Sequence, residues 1–80
     1  MDDQSLGGWI KREREQRGWT QLDLSKRVGT DPGTVSRWER LKVKPELSQL
    51  AKLCEVFETS PADVLPLYGL DASISGEVRR

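Results

Sequence analysis

Residues 20–40, TQLDLSKRVGTDPGTVSRWER, constrain the fold most, because they carry start and stop signals for two short helices on either side of one glycine. Thr20 supplies a hydroxyl N-cap, and Leu24 and Val28 fall four apart in the stretch that follows, one apolar stripe at helical spacing. Gly29 stops that helix, since glycine enters the left-handed C′ conformation without a Cβ penalty. Asp31 caps the next helix, and Pro32 takes its first position, where the missing N–H has no intrahelical partner to lose. This helix runs to about Arg40, buries Val35 and Trp38, and leaves Gly33, Ser36, Arg37 and Arg40 outward. Helix, glycine turn and short helix make a helix-turn-helix, and a second helix of this size fits a DNA major groove.

Everything else must share one core. Eighty residues make a single domain. Apolar positions outside the central motif recur at three and four, and strand-type runs are absent before the last dozen residues, so the expected class is all-α, a bundle of short helices. No stretch approaches the roughly 20 apolar residues of a membrane span, and the chain opens on acidic residues rather than a basic signal region. A soluble, cytoplasmic protein with no membrane contact is expected. With no histidine and one cysteine, the chain lacks the usual metal ligands, the usual general base and any internal disulfide. No catalytic residue, metal, cofactor or small-molecule ligand is expected, and an enzyme is not. Cys54 falls in an apolar-spaced helix with Leu47, Leu50, Leu53 and Phe57, which favours a packed small hydrophobe over a redox thiol.

A net charge of zero argues against a nucleic-acid partner until it is divided along the chain. Residues 9–44 carry ten Lys or Arg against five Asp or Glu, a net +5, whereas residues 1–8 are −2 and residues 45–80 are −3. The helix-turn-helix lies in the basic part, the polarity of a molecule with one face toward phosphate.

The first helix is expected from about Ser5 to Arg17, capped by Ser5 and ended by Gly18, with Leu6, Trp9 and Ile10 inward and Gly7 and Gly8 weakening its first turn. After the third helix, Lys42 to Lys44 form a basic loop stopped by Pro45. The fourth helix spans about Glu46 to Phe57. Thr59 or Ser60 caps a short fifth helix with Pro61 first and Val64 and Leu65 inward, and Pro66 ends it. Residues 1–66 thus read as the helix-turn-helix domain and 67–80 as a tail.

Ile10, Arg14, Gly18, Thr20-Gln21, Leu24, Gly29, Val35, Trp38-Glu39, Pro45, Leu50, Phe57 and Leu65 agree in order and spacing with the lambda-repressor and Cro-like family, the XRE-type helix-turn-helix regulators, which the chain resembles over about residues 6–65. The resemblance implies a five-helix bundle that binds a double-stranded DNA operator sequence-specifically, usually as a homodimer. It implies that Gln21 contacts a phosphate and braces the recognition helix, for which the free N–H groups and positive dipole end of a helix start are suited; the plainer reading is a first-turn residue with no ligand. It also implies that Arg14 and Glu39 join the first helix to the third as an architectural pair.

Three departures qualify the resemblance. Where relatives place base-reading side chains, this chain has Asp31, Pro32 and Gly33; two offer no side-chain donor, and the Asp31 carboxylate only accepts. Thr34, Ser36, Arg37 and Arg40 are left to face DNA, with Arg37 the best base reader because it can bridge O6 and N7 of guanine, against the plain reading of a solvated arginine. Leu41 stands where a glycine usually ends the third helix, so that helix must end without an easy left-handed residue or run on. Lys42 and Lys44 beside it suit phosphate or open solvent. Glu13 occupies a commonly apolar position and is expected at an exposed edge, paired with Arg17. Trp9, Trp19 and Trp38 have core rather than base-stacking spacing.

These residues together predict a repressor that binds a palindromic operator through its third helix. The alternative is a protein-interaction module, antirepressor or antitoxin-like, with a degenerate reading face. In the tail, Leu70, Ala72, Ile74 and Val78 fall on alternate residues, which fits a short strand paired with a second copy; the serines, Gly76 and terminal arginines equally fit a frayed end.

Overall fold

The computed structural model describes residues 5–68. Five helices follow one another: α1 (Leu6–Gln16), α2 (Gln21–Val28), α3 (Pro32–Glu39), α4 (Leu47–Val56) and α5 (Pro61–Tyr68). No strand occurs among the described residues, and the alternating tail from Leu70 onward lies outside them. No helix among them is long and apolar enough to cross a membrane.

Local chemistry accounts for the helix starts. Ser5 Oγ accepts from the Gly8 N–H at 3.0 Å. Thr20 and Asp23 form a reciprocal capping box, the Thr20 hydroxyl accepting from the Asp23 N–H at 3.0 Å while Asp23 Oδ2 accepts from the Thr20 N–H at 2.9 Å. Asp31 caps α3, with Pro32 first. Gln49 reaches back to the Glu46 N–H at 2.8 Å, and of the two candidate caps for α5 it is Ser60 whose hydroxyl accepts, from the Ala62 N–H at 3.3 Å.

The ends are less uniform. Gly18 and Gly29 take left-handed φ of 72° and 89° after α1 and α2. Leu41 (φ 63°) and Glu58 (φ 56°) do the same after α3 and α4, where a Cβ opposes it. α3 thus ends, as expected, without an easy left-handed residue: it stops at Glu39, and Leu41 makes the turn itself. Its N–H bonds to the Trp38 carbonyl at 3.1 Å, and the Lys42 N–H bonds to that of Arg37 at 2.9 Å, so the last turn closes as it would around glycine. α1 lies against this turn. A Cβ added to Gly7 would stand 2.5 Å from the Trp38 carbonyl oxygen and 2.6 Å from Leu41 Cδ2. Gly7 is thus less a weak first turn than the bare surface that lets α1 close on the end of α3 and seat the Leu41 side chain.

The core comprises Leu6, Trp9 and Ile10 of α1, Leu24 and Val28 of α2, Val35 and Trp38 of α3, Leu50, Leu53 and Cys54 of α4, Phe57, and Val64 of α5. Trp9 meets Phe57 edge-on at 5.3 Å between ring centroids, and Trp19 lies against the same ring at 6.2 Å, so these indoles are packing groups. Burial pushes the Cys54 thiol above its ordinary value, the behaviour of a packed small hydrophobe.

Three expectations are corrected. Leu47, grouped by spacing with the apolar positions of the fourth helix, is the first residue of α4 and is 57 % exposed. Glu13 pairs with Arg17 as expected, at 2.9 Å, but is half-buried rather than at an exposed edge, and Arg17 also donates to the Phe57 carbonyl at 2.9 Å and so ties α1 to the end of α4. Pro66 does not end α5 but sits inside it. A proline there loses the bond to the Ala62 carbonyl and crowds that carbonyl, yet the helix continues and brings Leu67 against the core.

Candidate nucleic-acid interface

The inner side of α3 is fixed by apolar burial and its polar end by one ionic cluster. Arg14 of α1 donates through Nε and Nη2 to the two Glu39 oxygens at 2.7 and 3.0 Å, and through Nη1 to the Trp19 carbonyl at 2.8 Å. Gln21, at the start of α2, donates its Nε2 to Glu39 Oε1 at 3.1 Å. One carboxylate thus gathers α1, the turn before α2, and α2 onto the end of α3. The hydrogen bond and charge of Glu39 hold the Arg14 guanidinium above its already high ordinary value, against the opposing effect of burial. A bidentate fork with both oxygens used leaves α3 little freedom to rotate.

With Val35 and Trp38 turned inward, the opposite side of α3 faces water. Asp31, Gly33, Arg37 and Arg40 are exposed, and Thr34 and Ser36 are half-exposed. Gln21 is half-exposed beside them, its amide already engaged with Glu39. Lys42 and Lys44 are exposed in the loop that follows. The fold therefore brings the positions named from sequence onto α3, its two ends and the head of α2. This surface is cationic through Arg37, Arg40, Lys42 and Lys44, with Asp31 as the one acid among those nine positions.

Asp31 is not idle. Its carboxylate is lowered from its ordinary value because the Thr34 N–H donates to it, at 2.7 Å, with the Thr34 hydroxyl and the Arg37 charge acting in the same direction. Asp23 is lowered in the same way by the Thr20 N–H. Sequence reasoning left three contacts unread: the Asp23 half of the capping box, the Arg14 bond to the Trp19 carbonyl, and the Arg27 guanidinium 4.1 Å over the Trp19 ring. The first was visible as T-x-x-D ahead of an apolar run; the other two needed the folded chain.

The helix-turn-helix family model matches residues 10–64. Over 55 residues, 69 % of this chain, it is 33 % identical to the antitoxin HipB of Escherichia coli O6:H1 and to that of Escherichia coli K12, covering 58 % and 62 % of those proteins. The chain thus spans about three fifths of the length of the curated relatives it matches. Among solved structures, the P22 c2 repressor in complex with a synthetic operator superposes with a TM-score of 0.70 at 31 % identity, over 76 % of this chain and 91 % of that one. The five-helix order, the glycine-linked α2 and α3, and these matches agree, and the chain belongs to the lambda-repressor and Cro-like family of helix-turn-helix DNA-binding regulators.

Proposed function

We propose that this protein is a transcriptional repressor that occupies a palindromic operator as a homodimer, with α3 of each copy in the major groove. The observation that carries this reading is the division of α3 into an inner side locked by Val35, Trp38 and the Glu39 cluster and an outer side offering Ser36, Arg37 and Arg40. A helix fixed from behind presents its side chains to base edges without reorganising. In this reading Arg37 reads a base, while Arg40, Lys42, Lys44 and the head of α2 at Gln21 meet phosphates. The P22 c2 repressor, held in its structure by a synthetic operator, supports the reading by its likeness in fold and sequence.

The test is titration of labelled duplex at two salt concentrations. Binding should weaken with salt, log K falling by about 0.9 per phosphate contacted for each decade, and an inverted repeat with centres about 34 Å apart should recruit two copies. Arg37→Ala should lose affinity at the preferred site far more than on random duplex, and Lys42→Ala should lose on both alike. Failure of any duplex to bind at low salt would displace this reading. A second reading, an antitoxin-like protein-binding module, is favoured by the identity to the two HipB antitoxins and would then take its place.

A further inference from the structure

The reading side of α3 contains a polar row that neither the family resemblance nor the proposed reading assigns. Asp31 Oδ1 accepts from the Thr34 N–H as any cap does, but Oδ2 also accepts from Thr34 Oγ1 at 3.1 Å. That hydroxyl has one proton, which goes to Asp31, so only its lone pairs remain, and Arg37 Nη2 donates to them at 3.2 Å. The spacing 31, 34, 37 puts all three on one stripe of the helix, and the row is polarised in one direction, guanidinium to hydroxyl to carboxylate. Gly33 lies alongside. Its backbone is helical, so conformational freedom does not explain it; a Cβ there would stand 3.3 Å from Asp31 Oδ1 and 3.6 Å from Arg37 Nη1. The missing side chain leaves room for the row.

We propose that Asp31 and Thr34 are positioning residues that hold Arg37 for a guanine, so that a helix opening on proline and glycine reads its site through one oriented arginine. The inference rests on the reading of α3 as the DNA-facing helix. An exposed arginine is rich in rotamers, and ordering it before association removes that entropy loss from the complex. One of its five N–H groups is committed to Thr34, which leaves four, enough for a two-donor fork to O6 and N7 of guanine. Adenine offers one acceptor and one donor at the same place and rejects it. The carboxylate, otherwise out of place against DNA, has its charge answered by the helix start and, through the hydroxyl, by Arg37.

The test is selection from a random-sequence duplex pool with the wild-type protein, Thr34→Val, Thr34→Ser and Asp31→Asn, followed by titration of the enriched site and of its guanine-to-adenine replacement. Wild type should prefer the guanine site roughly ten- to a hundredfold. Thr34→Val should still bind the pool but lose most of that preference, and Thr34→Ser, which keeps the hydroxyl, should restore it. Asp31→Asn retains a capping oxygen, and should lose preference while binding random duplex more tightly, because an acid facing phosphate is gone. Relaxation of the Arg37 Nε–H signal in the free protein should show faster motion in Thr34→Val than in wild type, a DNA-independent reading of the same contact. Recovery of no duplex by the wild type would sink the DNA reading and this proposal with it. Wild-type sites with no guanine dependence, or undiminished preference in Thr34→Val, would overturn the positioning role and leave the DNA reading standing.

Discussion

Arg14 shows how much can rest on one side chain. Its side chain is 11 % exposed and that of Glu39 4 %, so neither charge is solvated enough to stand alone. Removing one partner of such a pair costs more than the pair contributes, since the other charge stays buried. Arg14→Ala should lower stability by about 3 kcal/mol, seen as a clear drop in thermal melting temperature, with Glu39 left only the Gln21 amide. An unchanged melting temperature would mean that Glu39 finds water when Arg14 is gone. The residue types at 14 and 39 were legible from the family pattern. The resemblance also implied that Gln21 braces the recognition helix, as its bond to Glu39 does; that Glu39 would be the partner was not legible, because a glutamine at a helix start suits solvent, phosphate or a neighbour equally well. Gly7 is similar: its sequence context reads as a weak helix start, and its use as the contact surface for Trp38 and Leu41 arises from residues more than 30 positions away.

At the scale of elements, helix starts were more readable than helix ends. Hydroxyl, carboxylate and proline signals act within three residues, and the structure realises them at Ser5, Thr20, Asp31 and Ser60. Ends at glycine are equally local, but Leu41 and Glu58 turn left-handed against their own preference. The two should respond differently to glycine. Glu58 is exposed, its carboxylate lies at the negative end of α4, and Glu58→Gly should stabilise the protein by about 1 kcal/mol, read from urea unfolding midpoints. Leu41→Gly should gain less, because it vacates the seat on Gly7. A loss on Glu58→Gly would show that its side chain does more than its backbone. Pro66 follows the same logic in reverse: a strong local stop is overridden where continuing the helix brings Leu67 to the core.

For the whole molecule, acid is the telling variable. Asp23 and Asp31 both titrate below the ordinary carboxylate value in the folded protein. Groups so lowered contribute stability that is fully present above about pH 4, where the unfolded chain is also ionised, and lost as pH falls through the folded values. Urea midpoints should therefore hold steady from neutral pH to about 5 and decline below about 4, as both helices of the motif lose their caps. Asp31→Asn, which caps without a charge, should flatten part of that decline. A midpoint that rises on acidification would contradict the assignment.

The sequence by itself determined the class, the five helices, the glycine hinge between α2 and α3, and the basic character of the segment that holds them, because helical period, caps and charge are properties of neighbours in the chain. Only the tertiary structure decided that Leu41 would end α3, that Pro66 would not end α5, and that Gln21 would turn to Glu39. The first two set a local preference of about 1 to 3 kcal/mol against contacts with another helix, the third is a choice among local equals, and all three turn on contacts that exist only once the chain has closed on itself.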